Sequence, residues 1–312
     1  MKNVIKSILF TILLLGILEL VAYLLLPQES IKKYGFKNVA IYDILHEQPD
    51  TIDVIALGDS LIYSSISPME IWNQYGYTVF DCAKAAESIF ETRKSLEIAI
   101  KHEHPKIVFF EANVLFRDPN KKQWYFKLKN KILHYFPITR YHNNWKKIGM
   151  SKDEYVHDAD KGYIYITREE KYTPRDNMKN IHKVKKIPPD NLKEFEKIIQ
   201  LCNNNNIKLV LISNPSQISW RYSKHYTAER VAKRLNVEFI DLNMKLEELG
   251  IDWTHETKDD GDHLNHSGAK KVSAYLGKYL QETNQLVDKR NDPKYRSWNK
   301  ASKIYNNHSD NH

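Results

Sequence analysis

Ser60 ends the stretch "ALGDS" (56–60), where an apolar run stops, and His263 follows Asp260 by three residues in "DDGDHLNHSG" (259–268). A serine hydroxyl becomes a nucleophile when a base within hydrogen-bond reach takes its proton. The base in turn needs an acceptor that fixes its tautomer. Asp260 and His263, on a tight turn eased by Gly261 and followed by a helix capped at Ser267, can both face one serine. Gly-Asp-Ser alone also fits an ordinary polar turn, and the second stretch also fits a solvated acidic turn with incidental histidines. A metal site is a third reading, because Asp259, Asp260, Asp262, His263 and His266 cluster. Their spacing matches no EF-hand loop, and the two histidines lack a familiar partner pattern. The expectation is therefore no metal and no other cofactor.

Whatever Ser60 does, a strand end must hold it. "IDVIALG" (52–58), "YTVFDCA" (77–83), "KIVFFEAN" (106–113), "IKLVLISN" (207–214) and "VEFIDLN" (237–243) read as strands. Helices are expected at 86–102, 190–205 and 226–235, with a last one from Ser267. Near-continuous apolar strands separated by helices predict a parallel sheet covered on both faces. The expected fold is a doubly wound, flavodoxin-like α/β domain of three layers with about five strands, whose ligands bind beyond the carboxyl ends of the strands. Ser60 lies at such an end.

Residues 117–189 break the alternation. They are rich in Lys, Tyr, His and Trp and too long for a simple connection, so an inserted lobe over the site mouth is expected. The remainder, 282–312, is polar and aperiodic and reads as disordered. The α/β domain is thus bounded at 51–281.

Lys2 and Lys6 precede an apolar run at 8–27. Its residues up to 26, at about 1.5 Å of rise each, reach about 28 Å, close to the hydrocarbon thickness of a bilayer. The run ends in Leu-Leu-Leu-Pro without a small-residue cleavage site, which predicts an uncleaved signal anchor. The expected order is a short cytoplasmic tail at 1–7, the span, a linker at 28–50, and the domain on the extracytoplasmic side. Glu19 sits mid-span, either as a tolerated neutral acid or against a partner membrane protein. The chain has 312 residues and a net charge of +8 spread along its length. An anionic membrane surface or cell-wall polymer explains that excess as well as nucleic acid does, and no nucleic-acid motif accompanies it. Cys82 and Cys202 form neither a disulfide framework nor a zinc site.

Gly58-Asp59-Ser60 after the first strand, with Asp260-x-x-His263-Leu-Asn-x-x-Gly before the last helix, resembles the SGNH/GDSL hydrolase superfamily over roughly residues 50–281. That resemblance implies Ser60 as nucleophile, His263 as general base and Asp260 as the residue orienting it. It also implies an oxyanion hole from the backbone N–H of Ser60, the N–H at a glycine position occupied here by Ala83, and the side chain of Asn113. An alanine can serve at that position where no positive φ is required.

The single anchor, the His-Leu-Asn-x-x-Gly-Ala form and the long insertion are similar to extracytoplasmic proteins that work with membrane-bound O-acyltransferases on cell-surface polymers. The expected activity is an esterase or acyltransferase adding or removing an acyl group on a cell-envelope polysaccharide or related polymer. Its alternative is a non-catalytic accessory protein of the same fold, binding polymer or a membrane O-acyltransferase. Arg140, His142 and Trp145 in "TRYHNNW" are the expected polymer contacts, combining a cation, a titratable donor and a stacking surface.

Overall fold

The computed structural model describes residues 2–25, 43–117, 159–174, 176–179 and 184–309. The chain divides into two compact units, Met1–Lys37 with Pro119–Tyr155, and Asn38–Asp118 with Val156–His312.

In the first unit, α1 runs Lys2–Leu25, and its apolar side chains from Val4 to Leu20 are largely exposed. Among the described residues no helix is long and apolar enough to cross a membrane. Of the span expected at 8–27, residues 26 and 27 and the side chains of Glu19 and of 21–25 lie outside the described residues.

The second unit is built on five parallel strands: β1 (Val54–Gly58), β2 (Val79–Ala83), β3 (Ile107–Glu111), β4 (Lys208–Ser213) and β5 (Glu238–Asp241), in the order β2-β1-β3-β4-β5. This is the expected α/β sheet. Side chains alternate across it with a period of two, and both faces are buried. Val54, Ala56, Ile107, Phe109, Val210 and Ile212 share one apolar cluster with Val272, Leu276 and Leu280 of α8 (His266–Glu282). The intervening residues, such as Ile55, Val108 and Phe110, face the other way, where Phe110 meets Phe195 at 5.3 Å between ring centroids. Phe195 belongs to α5 (Pro189–Asn204), which packs beside α4 (Ile89–Ala99).

Four readings change. "SLIYSS" and "PMEIWNQY", left unassigned by the strand-and-helix pattern, form α2 (Ser60–Ser65) and α3 (Pro68–Tyr75). The remaining helices are α6 (Tyr222–Leu235), the short α7 (Leu246–Leu249) and α9 (Arg296–Ser309). The α8 cap is Asn265, whose side chain accepts from the Gly268 N–H at 3.3 Å, rather than Ser267. The domain also reaches forward of residue 51, because Ile44 is buried and the buried Glu47 pairs with Lys161 at 2.5 Å.

The fourth correction concerns the tail. Far from being disordered, α9 buries Trp298, Ala301 and Tyr305. Trp298 packs on Trp72 of α3 at 5.3 Å, and the Tyr305 hydroxyl bonds to Ser67 Oγ (2.9 Å) and Glu70 Oε1 (3.1 Å). Tyr295, Trp298, Ala301 and Tyr305 lie on one helical stripe, and the polar residues between them face water.

The end of the expected lobe is also tied down. Residues 161–172 form a strap bonded in turn to Asp81 of β2 (Asp81 N to Lys161 O, 2.9 Å), to Tyr63 of α2 (Ile164 N to Tyr63 O, 2.9 Å) and to α8 (His266 N to Ile166 O, 2.8 Å). It then reaches Thr257 (Glu170 N to Thr257 O, 2.8 Å).

Candidate active site

Ser60 is the first residue of α2, directly beyond β1. The chain turns there because Gly58, at φ 154°, lies against the end of β3. A Cβ at this position would stand 2.4 Å from Glu111 Cβ. Asp59 caps α2, taking the Leu61 N–H on Oδ1 at 3.0 Å. Its other oxygen accepts from Asn113 Nδ2 (2.9 Å) and from Arg117 Nη2 (2.6 Å) and Nε (3.2 Å). Asp59 is completely buried, and this buried carboxylate ties the end of β1 to the end of β3.

The second component is a hairpin of β6 (Thr257–Asp259) and β7 (His263–Leu264). His263 Nε2 lies 2.7 Å from Ser60 Oγ, and Nδ1 lies 2.7 Å from Asp259 Oδ2. The other Asp259 oxygen accepts the His263 backbone N–H at 2.8 Å. A carboxylate accepts only, so Nδ1 carries the proton and Nε2 offers its lone pair to the Ser60 hydroxyl. Burial pushes the Asp259 carboxyl up, but the bond and charge of His263, with the charge of Lys258, more than offset it. The carboxyl sits below its ordinary value.

The expected Asp260 is therefore replaced by Asp259 on the imidazole. Asp259 and His263 are paired across the antiparallel ladder, which puts their side chains on one face. Asp260 begins the turn at φ 45° and is exposed. Asp262 is used differently: its Oδ1 accepts from Ser216 Oγ (2.8 Å) and Ser219 N (3.1 Å), anchoring the hairpin to the segment after β4. Gly261 is needed at φ 81°, since a Cβ there would stand 2.7 Å from the Tyr172 ring of the strap.

The three expected oxyanion donors come from the carboxyl ends of three adjacent strands. Ser60 follows β1, Ala83 closes β2 opposite Gly58, and Asn113 lies in the 3₁₀ turn after β3. Ala83 is not in the left-handed region; the positive φ in this loop, 57°, falls on Ala86. Asn113 is buried, with Nδ2 on Asp59 and Oδ1 accepting from Lys224 Nζ at 2.7 Å.

Sequence reasoning passed over the cations around this centre. Burial first, with Arg117 and Lys185 adding to it against Asp59 and Glu111, brings the Lys224 ammonium down to about 8. Lys258 donates to Ser64 Oγ at 2.8 Å and lies 5.9 Å from the Tyr63 ring centroid. Burial brings it down to about 8 against the charge of Asp259. Glu111 is held up, first by burial and then by the charge of Asp59. No pattern of spacing announces these groups, because each comes from a different element.

Among the described residues no three His, Cys, Asp or Glu side chains gather as a metal site requires. His266, one of the five residues behind that reading, faces Tyr163, with Nδ1 3.2 Å from the hydroxyl. Arg140, His142 and Trp145 lie outside the described residues.

No family model matches this chain, and no curated protein matches it. Among solved structures it is similar to a GDSL-like lipase from Bacteroides thetaiotaomicron, at 10% identity and a TM-score of 0.42, covering 80% of this chain and 98% of that one. It is similar also to a lipase/acylhydrolase from Enterococcus faecalis, at 14% identity and a TM-score of 0.40, covering 74% and 96%. A third is the psychrotrophic esterase EstA from Pseudoalteromonas sp., at 12% identity and a TM-score of 0.41, covering 76% and 100%.

Proposed function

We propose that this protein is a serine esterase or acyltransferase working through an acyl-Ser60 intermediate. One observation carries the reading: a single imidazole joins Ser60 Oγ and the Asp259 carboxylate, each at 2.7 Å. As Ser60 Oγ bonds to the acyl carbonyl carbon, its proton passes to His263 Nε2, and the carbonyl electron pair moves onto oxygen. The oxyanion is received by the N–H of Ser60, the N–H of Ala83 and the second hydrogen of Asn113 Nδ2, the first being held by Asp59. Collapse expels the alcohol oxygen, which takes the proton back from Nε2. Water or an acceptor hydroxyl then repeats the sequence on the acyl-serine, giving hydrolysis or transfer.

The finer reading is a single-pass protein of the cell membrane with this domain on the extracytoplasmic side. Its substrate is an acylated cell-envelope polymer and its partner a membrane-bound O-acyltransferase. Support comes from the apolar run behind Lys2 and Lys6 and from the basic, aromatic insertion.

A fluorophosphonate probe tests the chemistry. The intact protein should be labelled on Ser60, and Ser60→Ala and His263→Ala should remain folded and unlabelled. Labelling of Ser60→Ala at the wild-type rate would remove the serine mechanism.

A further inference from the structure

An amide side chain can be seated in two ways, and only one of them turns its N–H groups toward Asp59, the residue before Ser60. Asn113 is flanked by two groups of fixed polarity. The Asp59 carboxylate, one residue before Ser60, accepts and so takes Nδ2 (2.9 Å); the Lys224 ammonium donates and so takes Oδ1 (2.7 Å). Lys224 is itself held by the Ser219 carbonyl at 2.5 Å and lies 5.7 Å from the Phe116 ring centroid. Asp59 Oδ2 also receives Arg117 Nη2 and Nε, so the amide shares that oxygen with two charge-assisted donors, whereas its own Oδ1 is held by Lys224.

We infer that Lys224 is a positioning residue, whose ammonium fixes the Asn113 amide with its N–H groups on the Ser60 side. This rests on the reading of Asn113 as an oxyanion donor. The lock requires a group that only donates, and a neutral amine also accepts. The groups facing Lys224 are Asp59 before α2, Glu111 at the end of β3, Arg117 after it and Lys185 before α5. Burial and these neighbours bring the ammonium down to about 8, so the lock is lost progressively as the pH rises through that value.

The test uses the full chain, with p-nitrophenyl acetate as substrate and melting curves as a check on folding. Lys224→Met should lower kcat by about 10- to 100-fold, the scale of a misplaced or missing oxyanion donor, with KM changed less than about twofold. Lys224→Arg, a cation that stays charged, should recover most of that loss. Wild-type kcat should fall as the pH rises past about 8, and that fall should be absent in Lys224→Arg. In an Asn113→Ala background, Lys224→Met should cost nothing further. Wild-type kcat in Lys224→Met, equal losses in the Met and Arg variants, or full additivity with Asn113→Ala would each overturn the inference. A wild type that neither cleaves the ester nor labels on Ser60 would overturn the hydrolase reading, and this inference with it.

Discussion

Asp259 and His263 are cross-strand partners in the β6–β7 ladder, so backbone pairing itself brings the carboxylate to the imidazole. Both Asp259 oxygens are committed to His263, one to the ring and one to the main chain. Ring and backbone are thereby oriented together.

The first prediction follows from that pairing. Asp259→Asn should lower kcat by about 10⁴-fold, the scale seen when the orienting acid becomes an amide and the wrong tautomer is favoured. Asp260→Asn, altering an exposed turn residue, should stay within about twofold on the same scale. Steady-state kinetics on a small acetyl ester decide it, and the opposite ranking would return the role to Asp260.

Asn113 offers a second measurement. Asn113→Ala should lower kcat by about 10²-fold, as for loss of one oxyanion donor, with KM nearly constant. A change confined to KM would assign Asn113 to ground-state binding instead.

The C-terminal helix should contribute heavily to stability. Trp298 fills the space between α9 and Trp72, so Trp298→Ala should cost about 3–5 kcal/mol through the cavity it leaves. Urea unfolding followed by circular dichroism reads this directly. A loss under about 1 kcal/mol would mean that α9 is not part of the cooperative core.

Glu87 gives a pH prediction. Burial, only partly offset by Lys84, pushes its carboxyl from 4.5 up to about 8. The folded state therefore binds more protons than the unfolded state between those values. This contribution is full below about 4.5 and is lost progressively as pH rises to about 8. Glu87→Gln should flatten the decline in melting temperature across that window. An unchanged slope would show that Glu87 is ionised in the folded protein.

Much of this was legible in the residues. Five apolar runs gave five parallel strands because burial on both faces removes polar positions from a strand. The pairing of Ser60 with His263 was legible because the chemistry proposed for them needs specific residue types. The choice between Asp259 and Asp260 was not, since hairpin register decides which of two adjacent acids lies opposite the ring. Lys224 reads along the chain as one more solvated cation on an amphipathic helix. Its role exists only once α6 is set beside the end of β3. Tyr295, Trp298 and Tyr305 were hidden in a polar segment because a helix covering one face needs only a narrow apolar stripe.

The strap has a consequence for the order in which the molecule can be assembled. Ser60 and His263 are 203 residues apart, so their meeting closes a very long loop. The strap meets α2 through Ile164 and α8 through Ile166, near the middle of that interval. Docking it on α2 leaves only about a hundred residues to be closed when α8 arrives, which lowers the entropic barrier to that last step. Ser60, the proposed nucleophile, stands among β1, β2 and β3, all complete by residue 111, whereas His263, its proposed base, lies in the final third of the chain. A half-made molecule, emerging from synthesis with its serine in place, would thus hold a nucleophile with no base.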